Sequence, residues 1–179
     1  MITKYYKLLI TLAVVGLVLA FAVAGLLLTR EDTSNGASKP SLEAKEAAPD
    51  FTLALIKGGN FHLGDHKGKP VMINFFASWC LPCREEAPVL EKVIHEYGAK
   101  GVVFMGIAID DTEDKMKDFM TRYGVTFPVG LDKTGVVQKS FGLYGIPTTY
   151  FINKQGIINY FHSGSVTEEL LQHELDKLL

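Results

Sequence analysis

Val71-Met72-Ile73-Asn74-Phe75-Phe76-Ala77-Ser78-Trp79-Cys80-Leu81-Pro82-Cys83 is a nearly unbroken apolar run that ends in two cysteines three positions apart. Val71 to Phe76 reads as a central strand covered on both faces. A Cys-x-x-Cys pair between such a strand and a following helix is suited to cycle between dithiol and disulfide. The chain has only these two cysteines, so it folds by its core and has none left for structural bridges. Positions 80 and 83 fall on neighbouring sites of a first helical turn. The unpaired N–H groups and positive dipole end of that turn favour a thiolate at Cys80, and thiol pKa values in such motifs span about 3.5–7.5. Pro82 has a preset φ, and its missing N–H costs little at a helix start. Trp79 sets an apolar plate beside the reactive sulfur.

Working outward, Phe51, Leu53 and Leu55 alternate with Thr52 and Ala54, the pattern of a half-buried strand. Gly58-Gly59-Asn60 turns the chain into a short return strand, Phe61-His62-Leu63. Beyond the cysteines a helix is predicted to about Tyr97, bent at Pro88, with Leu90, Val93, Ile94 and Tyr97 as its core stripe. Val102 to Ile109 is a second buried strand. Thr112 caps a helix ending near Tyr123-Gly124, and a shorter one covers about 135–141. Thr148–Ile152 and Ile157–Phe161 flank Asn153-Lys154-Gln155-Gly156, a hairpin signal. Ser165 with Glu168 suggests a capping box for a terminal helix that carries Leu170, Leu171, Leu175 and Leu178. The order implies an α/β fold: a parallel core with an antiparallel edge, and helices on both faces.

Residues 1–30 form a separate unit. Lys4 and Lys7 precede an uncharged apolar stretch over residues 8–28, long enough for the roughly 20 residues that cross a bilayer. Ala20-Phe21-Ala22 and Ala22-Val23-Ala24 resemble signal cleavage sites. The stretch is nevertheless longer than the usual signal core of about 7–15 residues, which favours a retained transmembrane anchor in the lipid bilayer. The positive N-terminal flank places the rest of the chain outside the cytoplasm. Residues 31–46 read as a flexible linker reaching on the order of 20–25 Å, and residues 47–179 as one domain with its own core. With 18 Lys and Arg against 20 Asp and Glu, and no basic stripe, nucleic acid is not an expected partner.

Taken with Gly145-Ile146-Pro147-Thr148-Thr149, Ala48-Pro49-Asp50-Phe51, Gly68-Lys69-Pro70-Val71 and Phe127-Pro128-Val129, the Trp-Cys-x-Pro-Cys run resembles the thioredoxin superfamily. More narrowly, residues 47–179 resemble the TlpA/ResA-like membrane-anchored thiol-disulfide oxidoreductases. The resemblance implies a thioredoxin-like fold, a central mixed β-sheet flanked by helices, with an insert of roughly residues 111–129. It implies that Cys80 attacks and Cys83 resolves, forming a redox-active disulfide, and that Pro147 is a cis-proline whose neighbour Ile146 offers its backbone to a bound substrate. Trp79 and Pro82 are expected as further substrate contacts. Glu86 matches an acid that helps proton traffic at the cysteines.

Asn74 stands where cytoplasmic thioredoxins have a buried Asp, and an amide accepts no net proton at neutral pH. Glu86, one turn beyond Cys83, is therefore the expected proton carrier. Also implied are protein substrates with disulfides, clients such as the heme-attachment cysteines of apocytochromes c in cytochrome c maturation, and a membrane electron donor of the CcdA/DsbD-like thiol-relay type. The implied setting is the periplasm or the outer face of a bacterial cytoplasmic membrane, with no cofactor and no metal.

Blander readings compete. The cysteines could join His62 and His66 in a zinc site, but Pro82, Trp79 and the strand-to-helix position fit redox chemistry better. A structural bridge closing so short a loop would restrain the unfolded chain little. Asp110-Asp111 and Glu113-Asp114 read as acids at a loop and helix start rather than metal ligands. Two other functions remain. A peroxiredoxin-type peroxidase shares the fold, yet Ile73 and Ala77 occupy the Pro and Thr positions of its Pro-x-x-x-Thr-x-x-Cys loop. A non-catalytic binding or chaperone module on the same scaffold would work without Cys80.

Overall fold

The computed structural model describes residues 46–179. The expected anchor and all of the linker but Glu46 lie outside them. Among the described residues no helix is long and apolar enough to cross a membrane.

A hairpin of β1 (Thr52–Ala54) and β2 (Asn60–His62) leads by a 3₁₀ turn into the central strand β3 (Val71–Phe76). Then follow α1 (Leu81–Gly98), β4 (Val103–Ile109), α2 (Glu113–Tyr123), β5 (Val129–Asp132), α3 (Val136–Ser140), β6 (Thr148–Ile152), β7 (Ile158–Ser163) and α4 (Glu168–Asp176). The main sheet has the order β5-β4-β3-β6-β7, parallel across β5, β4 and β3 and antiparallel across β3, β6 and β7. This is the mixed sheet with an antiparallel edge that the strand and helix order implies.

Every residue of β3 is buried, as its apolar run requires. Because side chains alternate across a sheet, Met72, Asn74 and Phe76 share one face and Val71, Ile73 and Phe75 the other. The first face packs under α1, α2 and α4, with Leu90, Tyr97, Phe119 and Leu171. The second packs with Phe51, Phe61, Phe141 and Tyr150. Asn74 is thus the one polar member of the face that meets α1. Gly106 in β4 keeps that layer tight, since a Cβ there would stand 2.8 Å from Phe127 and 2.9 Å from Phe76.

The expected stripe Leu90, Val93, Ile94 and Tyr97 is buried on α1, and the helix runs through Pro88 without ending. Thr112 caps α2 by accepting from the Lys115 N–H, and Gly124, at φ 64°, closes it in the left-handed conformation that glycine tolerates. Most element ends fall within two residues of the sequence reading, and one helix cap differs from it. Thr167, not Ser165, caps α4, its hydroxyl accepting from the Leu170 N–H at 3.2 Å. Glu168 is then the first helical residue, where it serves the helix dipole and pairs with Lys92 at 2.7 Å instead of closing a capping box.

Candidate active site

The site grows from the C-terminal end of β3, the end where loops of an open parallel sheet gather. After Phe76 the Cys80 N–H donates to the Ala77 carbonyl at 3.2 Å, turning the chain into α1. Cys80 is the N-cap of that helix, with extended backbone, and its Sγ accepts from the Cys83 N–H at 3.3 Å. The two cysteines are disulfide-bonded, S–S 2.04 Å and Cα–Cα 5.3 Å. Cys83 is 1% exposed and Cys80 5%, and the residues flanking Cys80 are open: Trp79 is 53% and Leu81 62% exposed. Pro82 is exposed on the same turn.

Register places the Gly-Ile-Pro segment beside this loop. Phe75 of β3 lies opposite Thr148 of β6, so Pro147 sits next to the end of β3. The Ile146-Pro147 bond is cis. The Pro147 carbonyl accepts from the Gly164 N–H at 2.8 Å, whereas no backbone hydrogen bond among the described residues uses the Ile146 N–H or C=O. Between Trp79, Leu143, the fully exposed Tyr144 and Ile146 lies an open cleft of about 610 Å³. Asp110, Gln138 and Lys139 also line it, and its mixed walls and spare backbone groups suit an extended polypeptide.

On the inner side, Glu86 is buried one helical turn beyond Cys83. Its Oε1 accepts from Asn74 Nδ2 at 3.2 Å and its Oε2 from the Val166 N–H at 3.0 Å. Asn74 also donates to Thr149 Oγ1, its cross-strand neighbour, at 3.0 Å. Burial pushes the Glu86 carboxyl up to about 7, the two hydrogen bonds opposing this only in part. A carboxyl at that value exchanges a proton near neutrality, which is what general acid–base chemistry needs.

Sequence reasoning brought Cys80, Cys83, Glu86, Trp79, Pro82, Ile146 and Pro147 to one region, and the structure gathers them there. It missed the groups that hold the loop. The Ser78 peptide is gripped from both ends: its N–H donates to Asp111 Oδ2 at 2.6 Å and its C=O accepts from Arg84 Nε at 2.7 Å. Asp111 Oδ1 also accepts from the Thr112 N–H at 2.7 Å. Asp110 sits at φ 47°, and its carbonyl accepts from Trp79 Nε1 at 3.0 Å. The signal was present, because two acids follow directly on β4, the parallel neighbour of β3, at the same sheet end.

The other candidates lie elsewhere. His62 is held between Asp65 at 2.9 Å and Asp50 at 3.0 Å, and these carboxylates raise its pKa. His66 stacks on Phe61. Neither joins the cysteines. Among the described residues no cluster of three or more His, Cys, Asp or Glu is placed to hold a metal ion.

This sheet order, with a Cys-x-x-Cys pair opening α1 and a cis-proline opening the adjacent strand, defines the thioredoxin-fold class of thiol-disulfide oxidoreductases. Residues 44–161 match the model of the AhpC/TSA family. Over 137 residues the chain is 34% identical to the thiol-disulfide oxidoreductase ResA of Bacillus thuringiensis subsp. konkukian, covering 76% of this chain and 79% of ResA. A thioredoxin-family thiol:disulfide interchange protein of Chlorobium tepidum superposes with a TM-score of 0.69 at 28% identity, over 75% of this chain and 96% of its own. A secreted disulfide oxidoreductase of Mycobacterium tuberculosis, homologous to DsbE of E. coli, does so with a TM-score of 0.65 at 25% identity, over 72% and 96%. The chain belongs to the AhpC/TSA family and is a ResA/TlpA-like thiol-disulfide oxidoreductase of the thioredoxin superfamily.

Proposed function

We propose that this oxidoreductase is a membrane-anchored, extracytoplasmic reductant of protein disulfides. Residues 1–30 are its anchor, 31–46 its linker and 47–179 its catalytic domain. In the reduced enzyme the Cys80 thiolate attacks one sulfur of a client disulfide, forming a mixed disulfide and releasing the other client sulfur as thiolate. Cys83 then attacks Cys80, the Cys80–Cys83 disulfide forms, and the second client sulfur leaves. Two electrons pass to the client, and the released thiolates take up two protons. Glu86 accepts the Cys83 proton as that sulfur becomes nucleophilic. Trp79, Pro82, Ile146 and Pro147 hold the client segment over the pair.

The observation that carries this reading is the placement of the pair at a boundary. Cys80 caps α1 among exposed apolar residues, while Cys83 is enclosed on the side of a buried carboxyl that titrates near 7. The extracytoplasmic setting is supported by Lys4 and Lys7 ahead of the apolar run and by the secreted character of the mycobacterial relative. In an oxidising compartment a reductant needs resupply, which points to a CcdA/DsbD-like dithiol donor in the membrane. By family resemblance, apocytochrome c heme-attachment cysteines are the clients.

The test is trapping. Full-length Cys83→Ser in membranes accumulates a mixed disulfide through Cys80 that thiols release, and Cys80→Ser does not. Absence of any trapped protein overturns the reading. A potential near about −270 mV supports a reductant and one near −120 mV an oxidant. The AhpC/TSA match raises the peroxidase alternative. With Ile73 and Ala77 in place of the peroxidatic Pro and Thr, the purified protein is expected to consume peroxide no faster than an ordinary thiol.

A further inference from the structure

A second cleft, of about 240 Å³, opens on the other side of Trp79. Trp79 is a shared wall of this cleft and of the larger one that reaches Ile146. The further wall is α2, whose residues 115, 118, 119, 122 and 123 recur at helical spacing and all line it. Phe119 and Tyr123, ring centroids 4.7 Å apart, make the aromatic part of that wall. The charges are one-sided. Arg84, Lys115 and Arg122 line the cleft against the single carboxylate of Asp118, in a protein whose formal charge is −2.

Some cations elsewhere on the described surface are paired, while others such as Lys67, Lys69 and Lys139 are not, so it is the gathering of three in one cleft that sets this site apart. Lys92 meets Glu168, Lys100 meets Glu96 and Lys117 meets Glu113, each within 2.8 Å. Among the described residues, Arg84, Lys115 and Arg122 have no carboxylate within 4 Å. Arg84 is also fixed in place, its Nε held by the Ser78 carbonyl at 2.7 Å. A preset guanidinium loses less side-chain freedom on binding than a mobile one.

We propose that this cleft is a specificity subsite for an acidic side chain, Asp or Glu, on the client segment that carries the attacked disulfide. The inference rests on the disulfide-exchange reading above and deepens it by naming the client's local chemistry. An extended segment advances about 3.3–3.6 Å per residue. One lying in the Ile146 cleft with its cysteine at Cys80 therefore carries its neighbours across Trp79 within a few positions. A carboxylate there meets three cations against the one carboxylate of Asp118, and a lysine there meets net repulsion.

The test uses the full chain in detergent, reduced, with two synthetic disulfide peptides that differ only in Glu or Lys two residues from the cysteine. The Glu peptide is expected to show a kcat/KM about fivefold higher at low ionic strength, the gain that exposed ion pairs allow. That preference is expected to fade in about 0.5 M salt and to invert in the double variant K115E/R122E. Reduction of the neutral 2-hydroxyethyl disulfide should be unchanged in the variant, which shows that fold and thiol chemistry are intact. If both peptides are reduced at equal rates, or the preference survives charge reversal, the subsite is overturned while disulfide exchange stands. If neither peptide is reduced but the small disulfide is, the protein-disulfide reading falls and the subsite with it.

Discussion

The two sides of the Cys80–Cys83 bond are built from opposite materials. Outward lie Trp79, Leu81 and Tyr144, large apolar side chains left open to water, together with spare backbone groups at Ile146. Inward lie Asn74, Glu86 and Thr149, polar groups shut away from water, with Asn74 donating to both of the others and Glu86 also accepting from the Val166 N–H. Exposed apolar surface is kept where a partner will cover it. Buried polar groups are kept where their protonation is to be tuned. The outer side is thus suited to recognition and the inner side to proton control, and the disulfide is where they meet.

Substitutions on each side should therefore have different signatures. The largest effect crosses both: Cys80→Ser is expected to reduce disulfide exchange to background in a peptide-reduction assay, with the fold intact by circular dichroism.

Next is the inner side. Glu86 is held near 7 in the fold against an ordinary 4.5, so the folded state keeps its proton more tightly. The stability this gives is fully present below about 4.5 and is lost as pH rises through about 7. Urea unfolding of Glu86→Gln against the parent should show the variant gaining about 3 kcal/mol relative to the parent between pH 4 and 8. A pH-independent difference would place Glu86 outside proton control.

Asn74→Leu removes a donor that favours the charged carboxylate. It should push the Glu86 midpoint, followed by carboxyl infrared absorption, up by about one further unit and cost about 1–3 kcal/mol. An unchanged midpoint would detach Asn74 from the network. Smallest in stability is Trp79→Ala, a half-exposed residue expected to change unfolding by less than about 1 kcal/mol. Its effect should fall on client KM, with no shift in the pH profile. A shifted profile would erase the distinction between the two sides.

The outer side was largely legible in the sequence and the inner side only in fragments. The apolar run into Cys-x-x-Cys and the Gly-Ile-Pro segment are local patterns, and each carried its own signal. Thr112 and Gly124 were readable as the ends of α2 for the same reason. Ser165 was misread because the terminal helix has two hydroxyl residues in range, and only packing decides that Thr167 caps it. Asn74 and Val166 converge on Glu86, and Thr149 on Asn74, from strands and loops distant in the chain, and no spacing rule announces that. The Asp111 grip on Ser78 depends likewise on β3 and β4 lying side by side.

The hydrogen bond from Val166 to Glu86 has a consequence for biogenesis. Val166 lies just ahead of α4, the last of the described helices in chain order. Until that segment docks, the carboxyl behind Cys83 lacks both its cover and one of its two donors, and it remains an ordinary solvated acid. A chain in which that segment is undocked holds both cysteines without the buried carboxyl behind them. The surroundings of Glu86 are in this sense completed late, only when the segment ahead of α4 docks against α1.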